Sequence, residues 1–117
     1  MRTQWLHELR WPEIETYLAG DDVALVPIGA TEQHGRHLPL LVDTGWAVAA
    51  CEHAAGKTGG LIAPPLHFGW SPHHMGYPGS ITLGADTLRQ VTVPMVESKP
   101  VPELMVKMCI SKCLWGL

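Results

Sequence analysis

Apolar positions along the chain alternate between stretches at helical spacing and short continuous runs. Ile14, Tyr17 and Leu18 follow Trp11-Pro12-Glu13 at the spacing of a helix face, with Pro12 suited to a first turn and Gly20 placed to end it. Asp21-Asp22 then lead into Val23-Ala-Leu-Val-Pro-Ile28, a bounded apolar run of the kind a buried strand shows. Pro27 marks where its ladder is expected to break. A helix is predicted from Thr44, a candidate N-cap, to about Ala55, with Gly56 near its end. Leu61-Ile-Ala63 reads as a second strand stopped by Pro64-Pro65, and Ser80-Ile-Thr-Leu83 as a brief third one. Asp86 or Thr87 caps another predicted helix from Leu88, which Pro94, Pro100 and Pro102 should forbid from continuing. Met105 to Leu117 shows no clear period. Helices alternating with short apolar strands predict an α/β fold with a mostly parallel sheet flanked by helices.

Composition narrows the classes. In 117 residues the chain carries 46% apolar and 16% charged residues, which suits one globular domain and argues against disorder. A net charge of −3 without any Lys/Arg run offers nothing to nucleic acid. No apolar stretch approaches the roughly 20 residues of a membrane span, and the charged start does not read as a signal peptide. Cys51, Cys109 and Cys113 are an odd set without a secreted framework's spacing, so a reduced, cytoplasmic setting is expected. Cys109 and Cys113, four apart, are a weak zinc signal without a second pair.

Two loops carry the candidate chemistry, and both follow predicted strands, where α/β sheets place their sites. The first is Glu32-Gln33-His34-Gly35-Arg36-His37, followed by Asp43. Alternation in an extended segment points Glu32 and His34 to one side, and Asp43 reaches the same point if the chain turns back near Pro39. Such mixed nitrogen and carboxylate donors suit Zn²⁺ or Mn²⁺, and a bridging carboxylate would allow two ions. An ordinary polar loop is the competing reading. The second loop is His67-Phe68-Gly69-Trp70-Ser71-Pro72-His73-His74, ending in Tyr77-Pro78-Gly79-Ser80. Its aromatics, His and Ser either line a small-molecule pocket, with Trp70, Ser71 and His74 as candidates, or pack as a surface loop. His7 and His53 read as helix surface.

The segment Pro27-Ile-Gly-Ala-Thr-Glu-Gln-His-Gly-Arg-His-Leu-Pro-Leu-Leu-Val-Asp43 closely resembles the signature of the creatininase family. Phe68-Gly-Trp-Ser-Pro-His-His-Met-Gly-Tyr-Pro-Gly-Ser-Ile-Thr-Leu83 is similar to a second family segment, and the likeness spans about residues 5 to 91. The resemblance implies a metal-dependent hydrolase acting on a C–N bond of a small cyclic amide, formamide or peptide. In some family members that chemistry serves cofactor biosynthesis, by trimming a peptide precursor or deformylating an intermediate. Glu32, His34 and Asp43 match the family's N-terminal metal ligands, with Asp43 in the bridging position, and His74 falls near the substrate. Arg36 stands where the family usually has Pro. The family's later Asn-Gly-His segment has no counterpart, and nothing from Thr92 onward resembles the family. The chain is therefore divided into residues 1–91, the N-terminal part of a creatininase-like domain, and a divergent tail, 92–117. That switch reads as a frame change, a mis-called end or a truncation, leaving a sheet incomplete at its C-terminus. The alternative is then a non-catalytic fragment with an incomplete metal site, unstable or self-associating into a homo-oligomer through an apolar edge.

Overall fold

In a computed structural model, residues 1–98 and 105–110 are described. A helix α1 (Trp11–Leu18) precedes strand β1 (Val23–Ile28), helix α2 (Val42–Thr58), strand β2 (Leu61–Ile62), helix α3 (Ala85–Glu97) and strand β3 (Met105–Ile110). Short 3-10 turns occur at Leu6–Glu8 and Pro72–His74. The sheet has the order β2-β1-β3, and both ladders are parallel. The expected α/β class with a parallel sheet is therefore observed.

β1 is the central strand, and its alternating side chains meet two different layers. Leu25 packs with Cys51 and Ala55 of α2 and with Ile62, supported by Trp5. Ala24 packs with Leu61 against Leu9, Ile14, Tyr17 and Leu18, from α1 and the segment before it. On α2, Ala47, Cys51 and Ala55 are buried one turn apart, a stripe of small residues that brings the helix close to the strand. The approach is closest at Gly29, where a Cβ would lie 2.3 Å from Thr44 Oγ1 and 2.4 Å from Thr44 Cα.

Several local expectations are corrected. β1 does not break at Pro27, which pairs with Cys109 and is followed by Ile28 opposite Ile110. The Leu25, Pro27 and Gly29 polar groups face the same edge, bonding Ala63, Leu66 and Leu66 in turn. The donor that Pro27 lacks falls where β2 has already given way to Pro64-Pro65, so no ladder bond is lost. α2 begins at Val42 rather than Thr44, and ends at Thr58 with Gly59 in the left-handed conformation at φ 80°. Thr44 is no cap: its hydroxyl donates to the Ala30 carbonyl at 3.3 Å. Residues 80–83 form isolated bridges, Thr31 with Ile81 and Gly69 with Thr82, instead of a strand. α3 starts at Ala85 and runs through Pro94 to Glu97. Part of the stretch without a clear period, Met105–Ile110, is strand β3; Pro100, Pro102, Cys113 and Trp115 lie outside the described residues. No helix among the described residues is long and apolar enough to cross a membrane.

Candidate metal centre

The carboxyl end of β1 opens into the first histidine-bearing loop. The loop is pinned by Thr31, whose hydroxyl donates to the His67 carbonyl at 2.8 Å and whose carbonyl accepts the Ile81 N–H at 2.9 Å. Glu32 follows, only 1% exposed. Asp43 comes from the other direction. It lies in the first turn of α2, four residues before Ala47, and so continues the buried stripe Ala47, Cys51, Ala55. The face of α2 that packs on the sheet thus delivers a carboxylate to the end of β1, where the helix dipole favours negative charge.

His34 stands between the two acids. Its Nε2 is 3.5 Å from Asp43 Oδ2 and 3.9 Å from Glu32 Oε1. One donor atom each from Glu32, His34 and Asp43 can be chosen so that all lie within 4.8 Å of one another. Two donors bonded at about 2.1 Å to one ion sit at most about 4.2 Å apart, so both His34 separations are compatible with a shared ion. His34 Nε2 is also buried and makes no hydrogen bond among the described residues. A buried nitrogen without a partner costs about 1–3 kcal/mol, and a divalent cation satisfies it while offsetting two nearby carboxylates. The donor set fits a Zn²⁺ or Mn²⁺ ion.

A fourth side chain joins the three. His74, half-buried at the end of the Pro72–His74 turn, has Nε2 3.7 Å from Glu32 Oε1, and its ring lies tilted against that of His73 with centroids 4.1 Å apart. Gln33 reaches His74 Nδ1 at 2.8 Å, and the Gln33 backbone N–H donates to Ser80 Oγ at 3.3 Å. The sequence reading assigned no role to Gln33 or Ser80, although both sit inside the two motifs. Their signal was adjacency alone, since neither residue type announces a contact across 41 or 47 positions.

The other pocket candidates are placed differently. Ser71 is fully buried; its N–H donates to Thr82 Oγ1 at 2.7 Å, and its own hydroxyl has no hydrogen-bond partner among the described residues. Trp70 is half exposed and lines a shallow groove of about 370 Å³ with Ala85, Leu88, Arg89 and Thr92. Arg36 and His37 are exposed on the loop, and His7 and His53 are exposed elsewhere, in the first 3-10 turn and on α2.

Comparison with known proteins gives a consistent picture. Residues 7–99 match the family model described as creatinine amidohydrolase. Over 88 residues the chain is 41% identical to a mycofactocin precursor peptide peptidase of Mycobacterium ulcerans (strain Agy99), covering 68% of this chain and 31% of the relative. Over 93 residues it is 34% identical to a creatinine amidohydrolase of Pseudomonas putida, covering 74% and 36%. A solved structure of a manganese creatininase superposes with a TM-score of 0.83 at 29% identity, covering 92% of this chain and 44% of that one. The chain thus spans about a third of the length of these curated relatives.

Proposed function

From the premise that this chain belongs to the creatininase family, we propose that it carries the N-terminal metal ligands of a divalent-metal hydrolase acting on a C–N bond of a small amide or peptide. The observation behind this reading is the convergence of Glu32, His34 and Asp43 from a strand end and a helix start. Relatives named as a peptide peptidase and as a creatinine amidohydrolase support both substrate types, and the cyclic amide, the formamide and the peptide precursor stay within the proposed class. The odd number of cysteines, without a secreted framework's spacing, favours a cytoplasmic setting.

Glu32, His34 and Asp43 would hold the ion, with Asp43 offered as the bridge to a second one. When bound, such an ion supplies Lewis acidity toward a carbonyl and acidifies water. The chain's own residues set the surroundings for that chemistry. Burial of Glu32 and Asp43 keeps competing water from their oxygens. The hydrogen bonds made by the Thr31 and Ser80 hydroxyls hold the two loops in register, so that His74 faces the carboxylate cluster. The Trp70 indole, half exposed on the segment leading into His74, is the proposed apolar substrate contact, and the fully buried Ser71 is proposed to shape that segment from within. Glu32, His34 and Asp43 would supply three donors to one ion, and a second ion would need donors beyond these three.

Elemental analysis of protein purified without chelator, followed by amide and peptide hydrolysis assays, tests the reading. One or two equivalents of Zn or Mn with hydrolysis lost in Glu32→Gln and Asp43→Asn would support it. Protein without metal that also fails to take up added Zn²⁺ would sink it.

A further inference from the structure

The Gln33 amide is clamped in one orientation. Its side-chain oxygen accepts the Gly35 backbone N–H at 2.8 Å, and its nitrogen lies 2.8 Å from His74 Nδ1. A backbone N–H only donates, so the atom facing Gly35 must be the oxygen and the atom facing His74 must be the NH₂ group. That NH₂ group also only donates. A proton on His74 Nδ1 would set two donors against each other at 2.8 Å, so Nδ1 must present its lone pair. The ring proton then resides on Nε2, which faces Glu32 Oε1 across 3.7 Å.

We propose that Gln33 is a positioning residue that fixes His74 as its Nε2–H tautomer, so that His74 turns a donor, and not a lone pair, toward the Glu32 carboxylate. The proposal deepens the metal-centre reading and rests on it only for its consequence. His74 then backs a metal-ligating carboxylate from outside, as outer partners orient ligands in metal sites, and is not itself a ligand. The 3.7 Å separation exceeds a hydrogen bond, so the pair attracts as dipole and charge. Ser80 makes the device a link between loops, because it holds the Gln33 backbone while Gln33 holds the ring on the second loop.

The tautomer can be read directly, on protein without metal or substrate, from the ring ¹⁵N shifts of labelled histidine, with His74 assigned through the His74→Gln variant. The neutral wild-type ring is expected to show an acceptor-type Nδ1 and a proton-bearing Nε2. In Gln33→Glu, a carboxylate in the same place accepts from both Gly35 and the ring, so the proton should appear on Nδ1. A wild-type ring protonated at Nδ1, or a folded Gln33→Glu protein with an unchanged ring, overturns the assignment. Should Gln33→Glu fail to fold, the wild-type measurement still decides. On saturation with Zn²⁺ the Nε2 proton should persist, and Gln33→Ala should weaken Zn²⁺ binding about 10–100-fold. Loss of the Nε2 proton on adding Zn²⁺ overturns the donor role. Failure to bind Zn²⁺ at all, with the wild-type tautomer as assigned, would instead remove the metal-centre reading and leave this one standing.

Discussion

At the scale of single residues, burial separates the acids that matter from those that do not. Glu13 carries the same side chain as Glu32, yet it lies near the surface, where backbone and side-chain hydrogen bonds from Arg10 hold its carboxyl below the ordinary value. Glu32 and Asp43 are buried beside a ring nitrogen that has no hydrogen-bond partner among the described residues, an arrangement costly to keep without a cation. Asp43→Asn keeps the shape of the side chain and removes its charge. It is expected to abolish measurable Zn²⁺ uptake, read by calorimetric titration. Zn²⁺ uptake undiminished by this change would show that Asp43 is not a ligand. Tyr17 supplies the pH-dependent case. Burial, with the Asp21 charge second, pushes its phenol above the ordinary value, and its hydroxyl donates to the Val23 carbonyl at 2.6 Å. A raised folded-state value means the folded chain holds this proton more tightly. Its contribution to stability is therefore complete below about pH 10, the ordinary tyrosine value, and lost as pH rises through the folded value. Tyr17→Phe should cost about 0.5–1.5 kcal/mol at neutral pH and flatten the alkaline fall in stability. Denaturant titrations at neutral and alkaline pH measure both effects.

At the scale of elements, the packing of α2 on β1 couples the fold to the site. Gly29 touches the Thr44 backbone and hydroxyl, and Thr44 follows Asp43. Gly29→Ala must push the start of α2 away, so it is expected to cost about 1–3 kcal/mol and to weaken metal binding along with stability. Gly56→Ala offers the contrast: it lies exposed within α2 with nothing within 4 Å of the added Cβ, and should stabilise by about 0.5–1 kcal/mol with metal affinity unchanged. Equal effects of the two on metal binding, measured by titration, would mean the tight contact does not position Asp43. The same elements show what could be read in advance. α1 and β1 were legible because Pro12, Gly20 and Asp21-Asp22 bracket clear patterns, and the ligand-bearing loop because its residue types are themselves the chemistry. The start of α2 was misjudged because Thr44 has the chemistry of a cap but spends its hydroxyl on the Ala30 carbonyl in the loop after β1. β3 was hidden by its sequence, Met105-Val-Lys-Met-Cys-Ile110, which shows no regular alternation of apolar and polar positions. Pro94 looked like a helix end because Pro costs about 3 kcal/mol inside a helix. The helix nevertheless continues, closing where the Ser98 N–H donates to the Pro94 carbonyl at 2.7 Å.

At the scale of the whole molecule, the exposed apolar surface is unevenly distributed. Leu41 and Trp46 flank Asp43 at the start of α2, and both are more than half exposed. Trp70, Met75 and Tyr77 are exposed along the segment that carries His74. Large apolar side chains scattered singly need no explanation, but a gathering on the two segments that build a site marks a surface fit for contact. Self-association is therefore expected, through the apolar rim rather than through charge, so that added salt should not weaken it. Sedimentation velocity across a concentration series, at low and high salt, measures this. Trp46→Glu should shift the distribution toward monomer while leaving Zn²⁺ uptake intact, because the Trp46 side chain is 71% exposed and takes no part in the ligand cluster. Association that dissolves in salt would point to charged contacts instead. A monomer at every concentration would mean that the rim stays solvent-exposed, available to the substrate that the site is proposed to take.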